Sequence, residues 1–278
     1  LGGGLGWLAR KYGTSADSAI EFEIVRATGE TITVSANENP ELFWALRGGG
    51  AGNLGVVTRM RAQLYRIPEV YGGDLFYPSS MAVDVIRRWR DWIETVPESL
   101  TSGATMLNFP PTDDVPEEWR GRSFVIIRGA FDGPTDEGEA LLAHWRGWRE
   151  PEFDLWGPLP FSQIADISMD PLDPFPNEGI GLWLGSLSDA SIEALVEANF
   201  PADTPPAFVQ TEMRHAGGAL SRAGSHEAAF GNRDSHILLE MVGWAPTADD
   251  GAVVRGHIEA VRDSIASDLT GGIYLNYA

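Results

Sequence analysis

Glu240 interrupts an apolar run, His236-Ile237-Leu238-Leu239-Glu240-Met241-Val242. A carboxylate among such neighbours is costly to bury unless it is paired or serves as an acid or base. Strand alternation puts His236, Leu238, Glu240 and Val242 on one face. The same run also fits a glutamate on an edge strand facing water, and both readings stand at this point. The second feature is a pair of glycine clusters, Gly2-Gly3-Gly4-Leu5-Gly6 and Gly48-Gly49-Gly50 with Gly55 beyond it. Glycine takes positive φ freely and lets backbone approach a ligand, so successive N–H groups there can cradle a pyrophosphate. Two tight turns would leave the same pattern.

The familiar catalytic templates do not account for these residues. Gly50-Ala51-Gly52-Asn53-Leu54-Gly55 satisfies GxGxxG, but a dinucleotide fingerprint needs a strand before it and a helix after it. Here a helix pattern precedes and a strand pattern follows. GxxxxGK[ST], GxSxG and HExxH are absent, which removes the primary residues of P-loop, α/β-hydrolase and zincin chemistry. The histidines, His144, His215, His226, His236 and His257, fall on separate predicted elements, so no metal site is expected. With no cysteine in the chain, disulfides, thiolate metal sites and thiol nucleophiles are excluded.

The elements that must position Glu240 and the glycines follow from periodicity. Ala19–Arg26 and Thr31–Ala36 alternate around Thr28-Gly29-Glu30 and predict a β-hairpin. Asn39-Pro40-Glu41 predicts an N-cap, a first-turn proline and an early carboxylate for a helix through Leu46, and Leu54–Tyr65 returns to a strand. Beyond Ile67 the texture changes. Helices are predicted near Ser79–Glu98, Thr135–Trp148, Ser191–Phe200 and Ala248–Leu269, and strands near Gly72–Tyr77, Ala104–Phe109, Phe124–Phe131, Gly181–Leu184, Phe208–His215, Ser235–Gly243 and Gly272–Tyr277. Without a strict βαβα rhythm, this order predicts an α+β fold with a large antiparallel sheet covered by helices on one face.

Composition bounds the partners. The 278 residues carry 40 acidic and 20 basic side chains, a net charge of −20, so neither a nucleic-acid nor an anionic-membrane surface is expected. Hydrophobic residues make up 43% and ten are Trp, enough for a sizeable core. Lys11 is the only lysine, a bias expected of a GC-rich bacterial genome. The chain begins at Leu1 and enters the glycine run at once, which suggests a piece of a longer protein.

Several long motifs in order carry a resemblance. Gly2-Gly3-Gly4-Leu5-Gly6-Trp7-Leu8-Ala9-Arg10-Lys11-Tyr12-Gly13, then Glu38-Asn39-Pro40-Glu41-Leu42-Phe43-Trp44-Ala45-Leu46-Arg47-Gly48-Gly49-Gly50, then Asn53-Leu54-Gly55-Val56-Val57, and finally Tyr274-Leu275-Asn276-Tyr277 closely resemble the berberine-bridge-enzyme-like FAD-linked oxidases of the vanillyl-alcohol-oxidase superfamily. The resemblance is strong over residues 1–66 and at the final segment. It implies that residues 1–66 are the C-terminal half of a PCMH-type FAD-binding domain and residues 67–278 a substrate domain. FAD would be the cofactor, contacted by Gly2, Gly3, Gly4, Gly6, Gly55, Val57 and Asn276. Family members often hold FAD through a His, and often a Cys, in segments that would lie upstream of Leu1.

The resemblance also implies the chemistry: a base takes a proton from a small-molecule substrate, hydride passes to the flavin, and dioxygen reoxidises it to give hydrogen peroxide. Tyr277 is the implied base and Glu240 the second catalytic candidate. A phenol in that role needs neighbours that favour its ionised form. Many relatives carry a Tyr near the position of Arg214; here Arg214, on one face with Glu212, would bind an acidic or carbonyl substrate, or pair with Glu212. Loops Asp113–Trp119 and Asp170–Asn177 would shape the pocket. The competing reading is a non-catalytic fragment or ligand-binding module that cannot hold flavin.

Overall fold

A computed structural model describes residues 2–50, 53–113, 115–171, 173–222 and 228–277. Ala51 and Gly52 of the GxGxxG match, Asp114 and Leu172 of the two loops, and His226 lie outside them. The described residues build two antiparallel sheets. The smaller contains β1 (Ala19–Val25), β2 (Thr31–Ser35) and β3 (Val56–Ala62) in the order β2-β1-β3. Helix α1 (Ala9–Tyr12) precedes it, and α2 (Pro40–Leu46) packs Phe43 against Phe22, Ile24 and Val34. Asn39 does not cap α2 through its side chain: it takes a left-handed φ of 56° and its Nδ2 donates to the Thr33 carbonyl at 2.9 Å. At Gly55, with φ of 129°, a Cβ would stand 2.6 Å from the Val25 carbonyl oxygen, so only glycine lets β3 begin against the end of β1.

The larger sheet contains β4 (Glu69–Pro78), β5 (Leu100–Asn108), β6 (Ser123–Phe131), β7 (Phe153–Asp154), β8 (Gly157–Pro160), β9 (Asn177–Leu184), β10 (Gln210–His215), β11 (Ile237–Trp244) and β12 (Leu269–Ile273). Its order is β12-β9-β11-β10-β5-β6-β4, with β7 and β8 both pairing with β4. One face is covered by α3 (Ala82–Ile93), α4 (Thr135–Arg146), α5 (Asp189–Asn199) and α7 (Ala248–Ser264), while α6 (Ala219–Arg222) follows β10. Alternation explains the division. Leu75, Tyr77, Met106, Ile127, Met213, Leu239 and Met241 join Trp89, Trp145, Ile192, Val254 and Ile258 in one apolar core. Each such fully buried side chain is worth about 1.5–3 kcal/mol. Thr247 and Asp250 start α7 with a reciprocal capping box.

The segment carrying the first glycines is clamped to this larger sheet. Buried Arg10 donates to the carbonyls of Pro97 (2.9 Å), Leu100 (2.5 Å) and Ala216 (3.0 Å). Lys11 Nζ and the Tyr12 hydroxyl both donate to Asp132. The Arg233 guanidinium reaches across to both oxygens of Asp17, at 3.1 and 2.6 Å.

The end of the chain differs from the strand that its sequence predicts. Strand β12 stops at Ile273, and Leu275–Tyr277 form a 3-10 turn. This turn brings Tyr274 and Tyr277 back over Gly181 of β9. Among the described residues no helix is long and apolar enough to cross a membrane.

Candidate active site

The face of the large sheet turned away from the helices carries charge. Strands β4, β6, β5, β10, β11 and β9 pair without a register shift, so side chains of one parity line up in rows. Asp74, Arg128, Gly103 and Arg214 form one row across β4, β6, β5 and β10. Thr105, Glu212, Glu240 and Gly181 form the next across β5, β10, β11 and β9. The structure thus brings Glu212, Arg214, Glu240 and, through Gly181, Tyr277 to one place.

The charges alternate and bond. Arg128, wholly buried, donates from Nε to Asp74 at 3.1 Å, from Nη1 to the Ser168 carbonyl at 3.2 Å, and from Nη1 to Glu212 Oε2 at 3.5 Å. Glu212 also accepts from Thr105 Oγ1 at 3.2 Å and from Arg214 Nε at 2.6 Å. The Arg214 guanidinium carbon sits over the Trp7 ring, 4.1 Å from its centroid. Glu212 and Arg214 are therefore partners of each other, and both are buried.

This packing sets protonation. Burial alone would raise Glu212, but Arg214 and Arg128 hold its carboxyl below the usual glutamate range. Asp74 is pushed up to about 6, chiefly by burial, with Arg128 opposing. Glu240, half-buried, rises to about 8, first through burial and then through the negative charge of Glu212 directly opposite, while Arg214 pulls the other way. Tyr277 is also pushed up, by burial and by Glu240, with Arg214 opposing. The expectation that Tyr277's neighbours favour its phenolate is not met: Arg214 alone does so, and burial with the carboxylates outweighs it. A group titrating near 8 is suited to exchanging protons with a bound molecule; a phenol held protonated is suited to donating a hydrogen bond.

The final turn latches the first glycine loop. Asn276 Oδ1 accepts from the Gly2 N–H at 2.8 Å, its Nδ2 donates to the Tyr274 hydroxyl at 2.7 Å, and that hydroxyl accepts from the Leu5 N–H at 3.1 Å. Gly3 and Gly4 take φ of 99° and 76° and offer their carbonyls to Ala16 and Ser15. Among the described residues no acceptor meets the N–H groups of Gly3, Gly4 and Gly6. Successive positive-φ residues with free N–H groups make a nest for an anion. Packing demands some of these glycines by itself: a Cβ on Gly3 would stand 2.3 Å from the Phe230 ring, whereas nothing lies within 4 Å of one on Gly6. Gly55 and Val57 lie elsewhere, in line with the far end of β1 from the Ser15–Ala16 segment, and Val57 is 45% exposed.

Asp74, Arg128, Thr105 and Trp7 also belong to the site, and the sequence reading did not pick them out. Asp74 and Arg128 carry the signal that exposed Glu240, a lone charge inside an apolar strand. Of the described histidines, His144 stacks on Trp92 and His257 meets Phe208 edge-on. Among the described residues no group of three or more His, Asp or Glu is placed to hold a metal ion.

The chain is similar to known proteins in sequence and fold. No family model matches the chain. It is 50% identical over 287 residues to (R)-6-hydroxynicotine oxidase of Paenarthrobacter nicotinovorans, a match covering 98% of this chain and 58% of that protein. It is 28% identical over 285 residues to an uncharacterised FAD-linked oxidoreductase of Bacillus subtilis (strain 168), covering 100% of this chain and 60% of the relative. Among solved structures, a BBE-like protein of Physcomitrella patens superposes with a TM-score of 0.83 at 21% identity, covering 100% and 61%. A chitooligosaccharide oxidase does so at 0.80 and 21%, also covering 100% and 61%. The chain spans about 60% of the length of the relatives it matches.

Proposed function

For a chain that is homologous to FAD-linked oxidoreductases and shares the fold of the berberine-bridge-enzyme-like proteins, we propose the chemistry of an FAD-dependent oxidase acting on a small molecule. The observation that carries this reading is the convergence of Glu240, Tyr277 and the anion nest on one turn, Tyr274–Tyr277. The residues fit part of an FAD site: the N–H groups of Gly3, Gly4 and Gly6 would receive phosphate oxygens, and Asn276 would hold the loop in shape. Bound FAD would supply a hydride acceptor and pass the electrons to dioxygen, giving hydrogen peroxide. Residues 1–66 would then complete a cofactor domain, and residues 67–278 would bind substrate.

Within this reading Glu240 is the proton acceptor. As an alcohol carbon loses its hydrogen as hydride, the hydroxyl proton goes to the Glu240 carboxylate and the C–O bond becomes a carbonyl. Tyr277 stays protonated and donates a hydrogen bond to the substrate oxygen. Arg214, locked by Glu212 and Trp7, supplies fixed positive charge rather than a free hand for an acidic substrate. The substrate class is an alcohol of a sugar, glycoside or secondary metabolite, to which the hydroxynicotine oxidase adds a hydroxylated nicotine.

The test is FAD titration of the purified chain followed by gel filtration and a visible spectrum, with Glu240→Gln compared in a flavin-retaining sample. Retained flavin, with its reduction by substrate falling by orders of magnitude in Glu240→Gln and rising in the parent through pH about 8, supports the reading. Retained flavin whose reduction is indifferent to Glu240→Gln removes that residue from its role. A second reading, a ligand-binding module that does not retain flavin, is favoured by one observation: Phe230 and Asn276 already pack against Gly3 and Gly2. A colourless protein after gel filtration selects it.

A further inference from the structure

The charged face continues past Glu240. Along β11 the residues of this face are Leu238, Glu240, Val242 and Trp244; Gly243 points the other way, since a Cβ there would stand 2.7 Å from Val254 of α7. Trp244 thus shares Glu240's face, four residues or roughly 13 Å along the strand. Its indole is 51% exposed. Phe175 lies parallel to it, with ring centroids 5.9 Å apart and planes within 5°. Backbone holds the pair in place: the Ala245 N–H donates to the Pro176 carbonyl at 3.1 Å, and Asn177, in register with Trp244, donates from Nδ2 to the Phe175 carbonyl at 3.0 Å.

The floor between the two ends is low. On β9, Gly181 stands opposite Glu240 and Gly179 opposite Val242. Tyr274 and Tyr277 cover Gly181, but the nearest side chain to a Cβ at Gly179 is Val242 itself. On its β9 side a strip of sheet poor in side chains, with Asp170 of the preceding loop near Glu240, therefore runs from Tyr277 to an oriented pair of rings, Trp244 exposed and Phe175 half-buried. Such rings reward a flat partner, because stacked arrangements add to simple burial.

We propose that Trp244 and Phe175 form a second subsite for a ring that presents a flat C–H or π face, so that the ligand class is a two-ring molecule whose other end reaches Glu240. This rests on the reading of the Glu240–Tyr277 end as the reacting end. The flat ring is aromatic or the apolar face of a sugar, and the test separates the two.

The full chain, labelled with fluorotryptophan, is titrated and followed by fluorine NMR, the Trp244 signal being identified by its loss in Trp244→Phe. The probes are 4-(benzyloxy)benzyl alcohol and cellobiose, each set against its one-ring counterpart, benzyl alcohol and glucose. At least one two-ring probe shifts the Trp244 signal and binds more tightly than its counterpart, and Trp244→Ala removes about threefold to tenfold of that affinity. The probe that does so tells an aromatic ring from a sugar. Phe175→Leu gives a smaller loss and covers the case in which Trp244→Ala does not fold. A Trp244 signal unmoved by both two-ring probes, or an affinity unchanged in both variants, overturns the proposal. If Trp244→Ala weakens binding while Glu240→Gln and Tyr277→Phe leave it unchanged, the subsite stands and the reading of the reacting end fails.

Discussion

The same strands present two unlike faces. Toward the helices, Leu75, Met106, Ile127, Met213 and Met241 interlock with Trp89 and Ile258 as an ordinary apolar core. Toward the site, their sequence neighbours Asp74, Thr105, Arg128 and Glu212 form a bonded lattice, with Glu240 unbonded beside it, opposite Glu212. Backbone, register and degree of burial are nearly shared, so the difference isolates what a side chain's chemistry demands. The helix side tolerates a lost methylene at the cost of a cavity. The charged side cannot lose one member without stranding another, because a buried charge without its partner is far costlier than a void.

The sharpest way to break this contrast is Arg128→Met, which keeps volume and removes charge. It is expected to lower unfolding stability by about 3–5 kcal/mol in urea titration, through Asp74 and Glu212 left facing each other. A loss below that of a helix-side Met213→Ala would show that the lattice is wetter than its burial suggests. Gly3→Ala comes next: strain at φ of 99° and the Phe230 ring in the way predict a loss of about 2–4 kcal/mol, read by thermal unfolding.

Glu240→Gln sharpens the comparison through pH. Because folding raises this carboxyl from its ordinary 4.5 to about 8, the stability it contributes is full below about 4.5 and is lost as pH rises through 8. Gln is expected to flatten that stretch of the pH–stability curve and to stabilise the protein by about 2 kcal/mol at pH 9, after allowance for partial exposure; a curve that keeps its slope refutes the assignment. Gly6→Ala is the smallest, within about 0.5 kcal/mol by the same unfolding assay, since nothing lies near its Cβ. A larger change would mean that packing, and not a ligand, demands Gly6.

Much of this could be read from residue order, and the limits have physical causes. The long strands and helices declare themselves because one face must be apolar: of the helical spacing Val254-Ile258-Val261-Ile265-Leu269, the first four land in the core, while α7 ends at Ser264 and Leu269 opens β12 instead. Strands β7 and β8 do not, being two and four residues long, the latter with two prolines. The final turn reads as strand because Tyr and Ile favour strands, while the turn itself is fixed by bonds to Gly2 and Leu5 at the other end of the chain. In the same way Glu240 was visible as a lone charge, but its opposition to Glu212 depends on a register that no local pattern encodes. Trp244 sat at the end of a recognisable strand; its partner Phe175 arrives from a distant loop.

The unbroken register of the large sheet has one more consequence, for folding itself. Strand β10 must find β5 from more than a hundred residues away, and period-two alternation makes a slip by one residue invert every side chain. A slipped β10 would drive Glu212 and Arg214 into the layer of Trp89 and Ile258 and leave Met213 among Arg128 and Asp74. Apolar residues alone forgive such errors more readily than buried ions do. The charged rows thereby act as a proofreading key that penalises mispaired sheets.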